Sequence, residues 1–185
     1  EENDFSDFDR DGLLFNMLSC EGPRMAAGDV NNDGLDDIFI CGAKDSPGAL
    51  FIRNRNGSFT LKNQSVFEAD RVSEDTDCAI FDADNDGDND LYVTSGGNEF
   101  PSSSSALADR LYLNDGKGNF SKSSQILPVA AYISTSCAEA CDFDKDGDTD
   151  LFVGARLQPF AYGLPADGYL LENDGHGCFK DVSGD

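Results

Sequence analysis

The sequence predicts an all-β molecule built from repeated units of four antiparallel strands, each opening on an acidic loop. Three observations predict it. An acidic loop recurs three times, as DVNNDGLDD at 29–37, DADNDGDND at 82–90 and DFDKDGDTD at 142–150, with starts 53 and 60 residues apart. An aromatic landmark recurs with the same period: LFIRNRNGSF ends at Phe59, LYLNDGKGNF at Phe120 and LLENDGHGCF at Phe179. Every apolar run is strand-sized, and no helical period is long enough to count. Two independent landmarks with one period define a true internal repeat.

The elements follow in order. Phe5 precedes Asp29 by 24 residues, much as Phe59 precedes Asp82 by 23 and Phe120 precedes Asp142 by 22. Segment 1–20 therefore reads as the last strand of a preceding unit, at 5–9, and a linker. Three full repeats follow, at 21–73, 74–133 and 134–185. Each begins with a short apolar piece (MAAGDV, DCAIFD, CAEACDF) and turns through its acidic loop. A β-rich run comes next (DDIFICG, NDLYVTSGG, TDLFVGAR), then a variable connection to ALFIRN, RLYLND or YLLEND. A turn cored by NG, DGKG or DGHG supplies the positive φ that tight hairpins need. The landmark aromatic then opens the fourth strand. A four-stranded antiparallel unit repeating every 50–60 residues is a β-propeller blade.

Three blades and one strand cannot close a ring, since propellers have roughly 4–8 blades. Further blades of the same or another chain are therefore expected to complete it. The opening EEND, without a start Met or signal peptide, reads as a processed or excised segment. The polar insert 95–109 is expected to be a mobile surface loop, and the Pro- and aromatic-rich insert 156–168 to be ordered.

Composition limits the function. Acids outnumber bases 36 to 13, for a net charge of -23. Nucleic acid is excluded as a partner, because phosphate binding needs clustered Lys and Arg. An anionic membrane surface is disfavoured in the same way, and no apolar run reaches the ~18 residues of a membrane-spanning helix. Of the 36 acids, 14 lie in the three loops. Carboxylates packed this densely repel one another unless a cation sits among them. The six cysteines show no CxxC pair, and most are expected to be buried, strand-borne thiols whose pairing sequence cannot give.

The loops have the grammar of a calcium site. Calcium takes 6–8 oxygens, so a loop curling around it aims alternate residues inward and turns sharply at a glycine in position 6. Side-chain ligands at positions 1, 3, 5 and 9 would be Asp29, Asn31, Asp33 and Asp37, then Asp82, Asp84, Asp86 and Asp90, then Asp142, Asp144, Asp146 and Asp150. Position 7 would offer the backbone carbonyls of Leu35, Asp88 and Asp148. Three calcium ions per chain are expected. Asn31 replaces an acid, so the first site should be the weakest. An EF-hand is rejected, because position 12 is Ile40, Val93 or Val153 in a β-rich run rather than an acid before a helix. The competing reading is three metal-free acidic turns. Asp7, Asp9, Asp11 and Gly12 imitate the first half of a loop, but position 9 would be Phe15, so they are read as a decoy.

These loops, and the stretch MLSCEGPRMAAGDVNNDGLDDIFICGAKDSPGALF in particular, resemble the FG-GAP/VCBS repeat family. That family supplies the calcium-loop propeller blades of integrin α-subunit heads and many secreted bacterial proteins. The stretch resembles the subset that includes cartilage acidic protein-like propellers. The Phe-Gly signature itself is absent, and Gly42, Gly96 and Gly154 stand near where the family's glycines fall. The resemblance implies the same ligand set, with structural rather than catalytic ions.

No enzyme motif is present. The single histidine, His176, sits in a turn and reads as solvated. The expected function is a binding or scaffold module for a protein or glycan, with Phe100, Phe160 and Tyr162 as anchors or as ordinary packing beneath a loop. The alternatives are the propeller portion of a secreted carbohydrate-active enzyme, or a structural spacer in a large adhesin. Asp70, Glu74 and Asp75 read as a charged connector, and Arg71, Arg110 and Arg156 as salt-bridging surface residues. Millimolar calcium implies a secreted or cell-surface location, with which the sequons at Asn56, Asn63 and Asn119 are compatible.

Overall fold

The computed structural model describes residues 5–10, 12, 14, 17, 23–62, 64–125, 127, 133–161 and 163–184. Among them lie twelve strands in three separate sheets. The first contains β1 (Met25–Gly28), β2 (Asp37–Ile40), β3 (Ala49–Arg53) and β4 (Phe59–Lys62). The second contains β5 (Asp75–Phe81), β6 (Asp90–Ser95), β7 (Arg110–Asn114) and β8 (Phe120–Lys122). The third contains β9 (Ser134–Cys141), β10 (Asp150–Leu157), β11 (Tyr169–Asn173) and β12 (Phe179–Asp181). Each sheet is an antiparallel meander whose sequence order is its spatial order. These are three propeller blades in an open arc.

The blades stack face to face, so the core lies between them. Strand alternation assigns each residue to one face. In β2 the pattern is one-sided, and Phe39 points at the second blade. In β6 every residue is buried, because the middle blade has a neighbour on each side: Leu91 and Val93 face the first blade, Tyr92 the third. The matching Phe152 in β10 lies on the open face of the third blade and is 43% exposed. Landmark aromatics obey the same rule. Phe120 and Phe179 are buried against the preceding blade, whereas Phe59 is 45% exposed.

Three features depart from the sequence reading. Where a preceding blade's last strand was expected, Asp7–Arg10 forms a single helical turn, α1, with acids in its first turn and Arg10 in its last, as the helix dipole favours. A second helix, α2 (Ser65–Ala69), drops Phe67 into the core between the first two blades, where its ring meets those of Phe39, Tyr112 and Phe120. Insert 95–109 is not a solvated loop. Phe100, Ala106 and Leu107 form a small core of their own, and a 3-10 turn at Ser105–Leu107 is capped by Ser104. Insert 156–168 is the more exposed of the two, with Phe160 and Leu164 largely in solvent.

Candidate metal centres

All three acidic loops join the first strand of a blade to its second, so they line up along one rim of the arc, at one end of the strands. The local sequence folds each loop without help from elsewhere. The position-1 carboxylate accepts the backbone N–H of position 6 across the turn: Gly34 to Asp29 (2.7 Å), Gly87 to Asp82 (3.0 Å) and Gly147 to Asp142 (3.2 Å). Those glycines have φ of +83°, +89° and +103°, values that residues with a Cβ rarely adopt. The position-5 carboxylate accepts the N–H of position 7, at 2.9 Å in every loop. Position 4 is also left-handed, at Asn32, Asn85 and Lys145.

Position 9 is the hinge between loop and sheet. Asp37, Asp90 and Asp150 are buried. One oxygen of each accepts the position-2 N–H, from Val30, Ala83 or Phe143. The other accepts the N–H at the end of the third strand, from Arg53, Asn114 or Asn173. Burial, the largest influence, raises Asp37 and pushes Asp90 up to about 7. Burial and then the charge of Asp86 raise Asp84.

Carboxylates converge most closely in the later loops. Asp82, Asp84 and Asp90 bring oxygens within 4.8 Å of one another, as do Asp142, Asp144 and Asp146. The first loop, with Asn31 in place of an acid, forms no such trio. The Oδ1 atoms of Asp82 and Asp84 are buried without a hydrogen-bond donor. Buried carboxylate oxygens with no donor, held among like charges, suit a hard cation with oxygen ligands.

Sequence reasoning missed a second use of position 7. The Asp88 carboxylate accepts the Asn32 side-chain amide of the preceding loop (2.5 Å), and Asp148 accepts that of Asn85 (2.5 Å). These bonds form rungs between adjacent blades. They are joined by Asn89 donating to the Asp29 carbonyl, Asn114 to the Val30 carbonyl and Asn173 to the Ala83 carbonyl. Recurring Asn at position 4 and Asp at position 7 was the available signal.

The opposite end carries a buried polar network that charge alone had placed in solvent. Arg110 pairs with Asp75 in the interior, and Asp75 also accepts the Gly42 N–H. Lys44 pairs with Glu99 (2.9 Å), and its backbone N–H donates to Glu74. Asp70 accepts the Tyr112 hydroxyl and pairs with Lys122. Asp109 accepts bonds from Tyr92, Ser95 and Thr135 (2.9, 2.9 and 2.6 Å). Of the expected anchors, Phe100 is buried, Phe160 is exposed beneath the Arg10 guanidinium (4.1 Å), and Tyr162 lies outside the described residues. His176 sits exposed in its hairpin turn.

Blades of four antiparallel strands, each opening on an acid-lined loop, define a propeller-repeat protein. The family model for the FG-GAP-like repeat matches residues 29–93 and 82–153, and the chain belongs to that family. A solved structure that explains how an Agrocybe aegerita lectin specifically recognises non-reducing terminal N-acetylglucosamine is similar to it in fold. The TM-score is 0.52 and the identity 21%. The match covers 84% of this chain and 36% of the lectin chain, so this chain spans about a third of that structure's length. No curated protein gives a significant match. Among the described residues, no helix is long and apolar enough to cross a membrane.

Proposed function

We propose that the chain is a calcium-stiffened segment of an extracellular propeller that binds a glycan or protein partner and performs no catalysis. The convergence of carboxylates in the second and third loops, with two buried oxygens lacking donors in the second, carries this reading. Asp82, Asp84, Asp86 and Asp90 would hold one ion with the carbonyl of Asp88. Asp142, Asp144, Asp146 and Asp150 would hold another with that of Asp148. Asp29, Asn31, Asp33 and Asp37 would hold the weakest, with that of Leu35. Bound calcium cancels the repulsion among these acids and fixes each loop on its sheet. The position-9 acids transmit that order, because each already grips the third strand.

The partner side of the proposal rests on the lectin-like fold and on the exposed insert 156–168, where Phe160 and Leu164 present apolar surface. Further blades, from this or another chain, would cover the two open blade faces. A secreted or cell-surface location supplies the millimolar calcium such sites need.

The test is native mass spectrometry in millimolar calcium and again after EDTA, paired with a glycan array read under both conditions. Three ions per chain, the last to fill being lost in an Asp29→Asn variant, are expected, with glycan binding that EDTA abolishes. A chain that binds no calcium at millimolar concentration sinks the metal reading. Calcium binding without glycan capture moves the partner to a protein.

A further inference from the structure

Cys41 and Cys78 belong to different blades and meet between them. Cys41 follows β2, and its N–H donates to the Arg24 carbonyl (2.9 Å). Phe39, two residues earlier, is buried against the second blade, so strand alternation puts Cys41 on that same face. Cys78 lies in β5 opposite Val93 and faces the first blade. Both side chains are buried in one core cluster. The structure holds both as free thiols, and the neighbouring Cys78 thiol and burial push the Cys41 thiol up. The next interface has no such pair, since the register places Thr94 and Ala138 at the matching positions. Cys137 and Cys141 lie four residues apart in one strand, about 13 Å, too far to bridge.

We propose that Cys41 and Cys78 form a disulfide that joins the first blade to the second. The oxidant is a small-molecule disulfide such as oxidised glutathione. One cysteine thiolate attacks it and releases a glutathione thiolate. The second cysteine thiolate then attacks the mixed disulfide at the protein sulfur and releases the other. The two cysteine protons end on the two glutathione thiols, so two thiols are oxidised and one disulfide is reduced. Burial disfavours the thiolate, so the exchange belongs to folding, before the interface closes. The bond would close a loop across the connection between two blades and so remove freedom from the unfolded chain. It needs neither calcium nor a partner, so its test stands apart from the functional reading.

The chain is refolded in a glutathione redox buffer with calcium, its free thiols are alkylated under denaturing acid, and it is digested with trypsin. Cys41 then lies in peptide 25–44 and Cys78 in peptide 72–110. A linked species of these two peptides, split by reductant, is the expected result. Alkylation of both sulfurs, or a bridge from either to another cysteine, overturns the proposal. A second measurement covers stability. Reductant should lower the thermal midpoint of the unsubstituted chain by roughly 5–15 °C and leave that of Cys78→Ser unmoved. An equal effect of reductant on both chains overturns the proposal as well.

Discussion

Asp109 shows how much a single acid can hold when it is deprived of water. Its carboxylate accepts from the Tyr92 hydroxyl, the Ser95 amide and the Thr135 hydroxyl, and these partners span two blades. Burial outweighs those bonds and pushes its pKa up to about 6. The folded chain therefore holds the Asp109 proton more tightly than the unfolded chain does. Its contribution to stability is greatest below about pH 4, falls as pH rises to about 6, and is level above that. An Asp109→Asn variant keeps the shape but offers one acceptor oxygen where three donors converge. We expect it to cost about 1–3 kcal/mol at pH 7. The gap between the two chains should be widest at pH 4, by denaturant titration at fixed calcium. A gap that widens from pH 4 to 6 would contradict the assignment. None of this is legible in the sequence. Asp75 reads as a connector charge and Arg110 as a salt-bridging surface residue, and only the tertiary contact between inner strands removes them from solvent.

Among the elements, the acidic loop is the most self-contained. Each one's fold follows from its own residues: carboxylates at positions 1 and 5 cap the turn, glycine supplies the positive φ, and position 9 ties the loop to the third strand. That is why the spacing alone located all three. The third loop carries one local conflict. Lys145 has φ of +69° where the other loops place Asn. A β-carbon is crowded there, and asparagine relieves the crowding by bonding locally. Lys145 is exposed, so the loss of its charge is screened. A Lys145→Asn variant should be more stable by roughly 0.5–1 kcal/mol, read as a higher thermal midpoint in calcium. The strands were equally legible, because two landmarks recur with one period. The inserts were not. The serine run in 95–109 advertises a solvated loop, while Phe100, Ala106 and Leu107, spread between those polar residues, make the core that decides its burial.

At the scale of the whole molecule, stability is a sum over blades and the interfaces between neighbours. Among the described residues two interfaces are formed, and two faces are open. The first blade leaves Met25, Phe59 and Leu61 exposed at 69%, 45% and 48%. Apolar surface of this kind drives association until something covers it. Replacing Phe59 and Leu61 with serine should weaken self-association of the chain more than tenfold in sedimentation experiments. Unchanged association would place the contact elsewhere.

The rungs between loops add something the strands lack, which is direction. Asn32 gives its amide forward to Asp88, and Asn85 gives its own forward to Asp148. At the two ends the grammar changes: Leu35 has no carboxylate with which to receive, and Lys145 offers a cation instead of an amide. Blades with nearly the same strands are therefore not interchangeable words. A first blade copied behind the third would set Leu35 against Lys145, and exchanging the first two blades would set Leu35 against Asn85 and break that rung. The repeats share a backbone but carry a written order, and shuffling them would cost the molecule its syntax before it cost a single strand.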